Sequence, residues 1–166
     1  MLIKSFGCSF IFGTDLDDAG PGYPVKNSDG TITPRGSQKT WPALLAKHNN
    51  SDYDCLAQPG CGNLHIAEYV LNHSDEKALY VIGWTWIDRF DYVNHDNRWT
   101  ALRPIDTSEA AKVYYRDLHS QYRDKLTTLI NVKTVIDTLK KKGHQFIMTY
   151  MDELMFEQDY HTGNAI

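Results

Sequence analysis

Residues 78–83, Ala78-Leu79-Tyr80-Val81-Ile82-Gly83, are the strongest indication of fold class in this chain. Its uninterrupted apolar character is typical of a central strand in a parallel sheet, because helices cover such a strand on both faces. Shorter runs of strand-forming residues occur on either side of it along the chain. We interpret three of them as further strands, at residues 2–6, 53–57 and 145–150.

Amphipathic segments lie between these runs. A helix is predicted from about residue 40 to 48, with Thr40 or Ser37 able to cap its first turn. A second helix is predicted over about 64–72, with Asn63 as its capping residue.

A longer helical region is predicted to begin near a capping box formed by Asp106 and Glu109. It continues, with a break near Ser120, to Lys142, where lysines and a glycine stop it. Strands that alternate with helices predict an α/β fold. We expect three α/β/α layers around a parallel sheet of at least four strands in flavodoxin-like order.

The rest of the chain is predicted to be irregular. Residues 14–39 are rich in Asp, Gly, Pro and Ser and are interpreted as a long loop insertion, and residues 84–103 as an aromatic and charged loop. We expect a single domain over residues 1–166 that is incomplete at its C-terminal end.

The amino-acid composition argues against some classes of binding partner. Seventeen basic and twenty-one acidic residues give a net charge of -4, which argues against nucleic acid and anionic membranes as partners. No apolar run reaches the length of a membrane span. The three cysteines, Cys8, Cys55 and Cys61, lack zinc-site spacing and follow no secretion signal, so we expect reduced thiols in a cytoplasmic protein. No motif indicates a metal or another cofactor.

Three glycine-bearing turns follow the first three predicted strands: Gly7-Cys8-Ser9, residues 59–63, and Gly83-Trp84-Thr85-Trp86. Ligands of parallel α/β sheets bind at the carboxyl ends of the strands, where these turns lie. Together the turns supply a hydroxyl, backbone N–H groups and side-chain donors. That set is what a nucleophile with an oxyanion hole requires.

Residues 4–13, with the core Gly7-Cys8-Ser9-Phe10, resemble the first block of the SGNH (GDSL-type) hydrolases, in which the serine after strand one is the nucleophile. Cys8 stands where most members have aspartate, as in a branch with a G-C-S-F start. Residues 57–63 look like the second block, whose glycine donates a backbone N–H. Residues 81–89 occupy the place of the third block, with Thr85 at the asparagine position. This version is similar to a divergent branch among phage and environmental sequences.

The resemblance implies a serine ester hydrolase that acts on an O-acyl ester of a carbohydrate or a small lipid. It implies Ser9 as the nucleophile. The implied oxyanion-hole residues are Gly62, Asn63 and Thr85, and the implied walls of the substrate cleft are Trp84, Trp86, Asp88 and Arg89.

The final D-x-x-H block of that family, which holds the base and its orienting acid, has no match. Asp159 and His161 are the right residue types at the wrong spacing. We therefore expect weak or absent esterase activity, and a homodimer formed through an open sheet edge or the exposed C-terminal face. A non-catalytic binding or structural module is the alternative, with tryptophans such as Trp99 available for glycans. Cys8 as a thiol nucleophile is a third hypothesis.

Overall fold

The computed structural model describes residues 1–20 and 36–153. Two sheets are present in these ranges. Four strands form a parallel sheet: β1 (Leu2–Gly7), β2 (Asp52–Cys55), β3 (Leu79–Trp84) and β6 (Gln145–Tyr150). Their order is β2-β1-β3-β6, which is the order in which a flavodoxin-like sheet begins. The other sheet is a small antiparallel hairpin of β4 (Phe90–Val93) and β5 (Trp99–Leu102).

Helices lie on both faces of the parallel sheet. In chain order they are α1 (Ser9–Phe12), α2 (Trp41–His48), α3 (Asn63–Asn72), α4 (Glu109–Val113), a π-helical turn (Tyr114–Leu118) and α5 (Gln121–Lys141). The predicted α/β fold with a parallel sheet of four strands is confirmed.

The apolar run at residues 78–83 is central in the sheet. In β3, Val81 lies opposite Ser5 of β1 and Ile147 of β6, so the strand is hydrogen-bonded on both sides. The main core lies between this sheet and helices α3 and α5. Its members include Phe6, Tyr80, Ile82, Val70, Val135 and Leu139. On the opposite face, Ile3 and Val81 pack against Ala46 of α2.

The segment predicted as the loop 84–103 contains the β4–β5 hairpin, so that prediction was wrong for its second half. The side chain of Asn94 organises the turn, because its Oδ1 accepts hydrogen bonds from the N–H groups of Asp96 and Arg98. Asn97 completes the turn in the left-handed conformation, with φ 57°.

Two predicted caps also differ. Ser108, not Asp106, caps α4 by accepting from Ala111 N–H, while Asp106 forms an ion pair with Arg103. Asn63 is the first residue of α3 rather than its cap. The predicted break near Ser120 is present, since Ser120 caps α5 directly after the π-helical turn.

Of the predicted loop 14–39, residues 21–35 lie outside the described part of the chain. At its two ends Ser37 donates to Asp18 and Lys39 pairs with Asp17. All three cysteines are free thiols. Within residues 1–20 and 36–153, no helix has the length and apolar character needed to cross a membrane.

Candidate active site at the carboxyl edge of the sheet

Ser9 begins α1 immediately after β1, at the carboxyl edge of the sheet. Its side chain is half-buried, and its hydroxyl makes no hydrogen bond to any residue in the described ranges. Its carbonyl oxygen accepts from Gly13 N–H at 2.7 Å, which closes the short helix. The backbone around Ser9 is therefore held while its hydroxyl remains available.

Glycine is required on both strands beneath this helix. Gly7 and Gly83 are direct neighbours across β1 and β3, and Ile11 of α1 packs over both. A Cβ at either glycine would lie 2.6 Å from Ile11 Cγ1. Gly7 also has φ 154°, a conformation that side chains disfavour. The close approach of α1 to the sheet fixes where Ser9 stands.

Cys8 points away from this edge. It is 1% exposed, and its Sγ lies 3.8 Å from Met151 Sδ in the main core. A thiol in that position has no access to a substrate at the surface, so the Cys8 nucleophile hypothesis loses its support.

The turn after β2 is bound by a buried carboxylate. Asp91 of β4 accepts hydrogen bonds from Gly62 N–H at 2.7 Å and from His65 N–H at 2.9 Å. Its burial raises its pKa above the usual value for aspartate. A Cβ at Gly62 would lie 2.7 Å from Asp91 Oδ2, so glycine is needed there. The N–H predicted to serve the oxyanion hole is therefore engaged by Asp91.

Asn63 and Thr85 bind each other instead of facing solvent. Asn63 Oδ1 accepts from Thr85 N–H at 2.8 Å, and Asn63 Nδ2 donates to the Thr85 carbonyl at 3.0 Å. The same amide lies 3.3 Å from Thr128 Oγ1. Both side chains are buried, and Thr85 Oγ1 has no partner among the described residues. These bonds join the second and third glycine turns, and the oxyanion role of the two residues stays a prediction.

The two predicted cleft tryptophans have different surroundings. Trp84 is 1% exposed and belongs to the main core, so it does not form a solvent-facing wall. Trp86 is 36% exposed and meets the ring of Phe10 edge-on, with centroids 5.8 Å apart. Since Phe10 follows Ser9 directly, this aromatic pair flanks the candidate nucleophile.

Arg89 reinforces the pair. Its guanidinium lies 5.0 Å from the Trp86 ring centroid and donates to the Cys61 carbonyl at 2.9 Å. Within the described ranges Arg89 makes no ion pair with its neighbour Asp88, the other charged residue implied as a cleft wall.

Asp88 lies beside a second carboxylate that the sequence did not indicate. Asp152 follows β6 and accepts from Ile87 N–H at 3.1 Å. Burial, and then repulsion by Asp152, raise the pKa of Asp88. The two line a cavity of about 280 Å³ with His119 and Asp124. His119 Nε2 and Asp124 Oδ2 are 3.0 Å apart, but their orientation does not make a hydrogen bond.

A larger cleft of about 770 Å³ lies between β5, α3 and the turn at residues 58–61. Trp99 of β5 stacks on His65 of α3, with ring centroids 4.7 Å apart and planes at 12°. Tyr69 meets the other side of this wall, with its ring 4.8 Å from that of His65. From the sequence only Trp99 was a candidate, because His65 and Tyr69 belong to a distant segment of the chain.

Asp159 and His161, the acid and base residue types at the wrong spacing, lie outside the described residues. No imidazole within those residues forms a hydrogen bond with Ser9 Oγ.

No family model matches the chain, and no curated protein does. Among solved structures, the chain is similar to that of a carbohydrate esterase whose active site "displays divergent catalytic and non-catalytic binding functions". The sequences are 19% identical and the TM-score is 0.37. The match covers 91% of this chain and 59% of that one, so the chain spans about three fifths of that protein's length.

Proposed function

We propose that the chain is a serine ester hydrolase acting on an O-acyl ester of a carbohydrate or a small lipid, with Ser9 as nucleophile. The observation that supports it best is the position of Ser9. Its half-buried hydroxyl stands at the carboxyl edge of a parallel sheet, with no partner among the described residues and beside the exposed Phe10–Trp86 pair. The family resemblance of residues 4–13 adds to this.

In the proposed reaction, Ser9 Oγ attacks the ester carbonyl carbon and its proton passes to a base. The tetrahedral intermediate collapses, the alcohol leaves with a proton, and water then releases the acid from the acyl-serine. The sequence leaves open whether His161, whose spacing does not match the last block of the family, is this base. Without a base the hydroxyl is a poor nucleophile, because it is almost entirely un-ionised near neutral pH.

The oxyanion needs donors as well. For Gly62 N–H or the Asn63 amide to serve, each must leave its present acceptor, Asp91 or Thr85. Breaking a buried hydrogen bond costs about 1–3 kcal/mol. We therefore propose a slow esterase.

The test is the Ser9→Ala substitution, assayed with a short-chain chromogenic ester and a fluorophosphonate probe. We expect labelling of the parent protein, no labelling of the variant, and a rate at least about 10³-fold lower. Ser51→Ala is the control, since Ser51 lies on the surface turn after α2 and bonds only to local backbone. Equal turnover by the parent and Ser9→Ala would remove Ser9 from the mechanism.

The second candidate is a binding module that keeps the scaffold without catalysis. The observation in its favour is that Gly62 and Asn63 already use their donors within the protein. Absence of both fluorophosphonate labelling and turnover in the folded parent, with retained binding of a saccharide, would select this candidate.

A further inference from the structure

The cleft beside the turn at residues 58–61 has an ordered aromatic wall. Trp99 stacks on His65 with ring centroids 4.7 Å apart, and Tyr69 meets His65 edge-on at 4.8 Å. Flat aromatic walls at the surface suit the apolar faces of sugar rings as well as other planar ligands. The volume of about 770 Å³ is within the range of small-molecule sites.

The polar groups of the cleft favour an anion. Arg98 and Arg103 both line it, and no aspartate or glutamate does among the residues described, although the chain as a whole carries a net charge of -4. Asp106 already compensates Arg103 through a forked ion pair. The guanidinium of Arg98, by contrast, makes no ion pair or hydrogen bond with any residue of the two described ranges. Its charge is therefore available to a ligand.

His65 adds a neutral polar group to the aromatic wall. Its Nε2 is buried and has no hydrogen-bond partner in the described part of the chain. Burial lowers its pKa to about 4, so the ring is uncharged near neutral pH. The uncharged imidazole therefore adds no positive charge to the cleft.

The cleft is joined to the turn that carries Ser9. Gly7, two residues before Ser9, accepts a hydrogen bond from Gln58 N–H at 2.8 Å and one from the Cys61 thiol at 3.5 Å. Gln58 and Cys61 also form one wall of the cleft. The wall of the cleft and the backbone that leads into Ser9 are therefore connected through Gly7.

We propose that this cleft binds a carboxylate-bearing sugar, so that the ester substrate is an acidic carbohydrate. The substrate assignment rests on the proposed function, whereas the binding site does not. Trp99 stacks on the sugar ring and Arg98 pairs with its carboxylate. A nucleic acid has similar chemistry, but the acidic chain and the single uncompensated arginine among the described residues of the cleft favour the smaller ligand.

The experiment measures binding without turnover, by calorimetry on Ser9→Ala protein with a short galacturonate oligosaccharide and the matching neutral galactose oligosaccharide. We expect the acidic ligand to bind at least about tenfold more tightly than the neutral one. Arg98→Gln abolishes that difference, while Trp99→Ala weakens both ligands about tenfold or more. Arg116→Gln is the control, because Arg116 is exposed on the π-helical turn and pairs with Asp117.

Three results would overturn the proposal: equal affinity for the two saccharides, no effect of Arg98→Gln, or equally tight binding of a single-stranded oligonucleotide. Circular dichroism shows whether Trp99→Ala is folded, and the exposed Arg98→Gln variant decides the matter if it is not. The two proposals fail separately. Fluorophosphonate labelling without saccharide binding refutes the cleft alone, whereas binding of the acidic saccharide without labelling refutes the esterase alone.

Discussion

Asp91 is a buried carboxylate on the short strand β4, and it contacts both the turn after β2 and the first turn of α3. It binds the backbone of Gly62 and His65 at the start of α3, where the positive end of the helix dipole favours a carboxylate. Arg89 contributes a further attraction to the same group. The hairpin and the second glycine turn are in this way held as one unit.

Removal of Asp91 therefore leaves two buried donors without an acceptor. We expect Asp91→Ala to lower the free energy of unfolding by about 2–3 kcal/mol, and Asp91→Asn, which keeps one acceptor oxygen, by less. Urea denaturation measures both. Asp137→Ala is the control, since Asp137 is exposed and pairs only with Lys133 one helical turn away, and it should change stability by about 0.5 kcal/mol or less.

His65 makes stability depend on pH. Its pKa in the folded protein, about 4, lies below the ordinary value of 6.5, so the unfolded chain binds more protons between these pH values. Stability must then fall as the pH drops through this window. His65→Phe keeps the stack on Trp99 but does not titrate. We expect the parent to lose about 1 kcal/mol more than this variant between pH 7 and pH 4, allowing for partial exposure of the ring.

Thermal melts of the two proteins across that range give the comparison, since about 1 kcal/mol corresponds to roughly 2–4 °C for a chain of this size. Parallel melting curves for parent and His65→Phe at every pH would contradict a depressed pKa for His65.

At the scale of elements, the parallel strands were predictable because burial dictates their composition. The apolar run that became β3 and the run that became β6 were found almost to the residue. The hairpin was not, because β4 contains Asp91, a buried charge of a residue type that is typical of the surface. Its turn depends on side-chain bonds of Asn94 rather than on an Asn-Gly pair.

The candidate site was predictable in part for a related reason. The parallel sheet brings the ends of β1, β2 and β3 to one edge, so the grouping of the three glycine turns follows from topology. The contacts that these turns make with residues from other segments do not follow from the topology. Asp91 on Gly62 and Thr128 on Asn63 join residues 29 and 65 positions apart, and no local pattern predicts such contacts.

The close contact between α1 and the sheet can be tested by a single substitution in β3. Gly83→Ala places a methyl group against Ile11 Cγ1 and Cδ1, at 2.6 and 2.8 Å. We expect a loss of about 1–3 kcal/mol in unfolding free energy from overpacking, measured by urea denaturation. Since Ile11 and Ser9 share a short helix, fluorophosphonate labelling of Ser9 should slow in the same variant. An unchanged midpoint would show that α1 moves freely on the sheet.

At the level of the whole molecule, β6 lies at one edge of the sheet formed by residues 1–20 and 36–153. It pairs with β3, and within the described ranges no strand pairs with its other side. Ile147 of β6 is 40% exposed. Open edges with apolar side chains favour pairing with another chain, which is the basis of the homodimer prediction.

Size-exclusion chromatography coupled to light scattering tests the homodimer prediction, because it measures the molecular mass in solution. We expect twice the monomer mass for the parent protein and the monomer mass for Ile147→Lys, because a charge on an edge strand opposes pairing. Ile130→Lys, an exposed position on α5, should leave the dimer intact. A parent protein that elutes as a monomer at high concentration would end the prediction.

The packing of Ile11 on Gly7 and Gly83 has a consequence for how the sequence can change over time. At Gly83 the close obstacle to a side chain is Ile11, so Ile11→Ala should make Gly83→Ala tolerable; the order in which the two changes arise then matters. At Gly7 the positive φ and the Gly83 carbonyl, 2.9 Å from a Cβ, remain whatever Ile11 becomes. Neutral drift can therefore replace Gly83 once Ile11 has become smaller, but it cannot replace Gly7 in this way. In a library of paired substitutions, Ile11→Ala should restore the stability of variants at position 83 and not of variants at position 7.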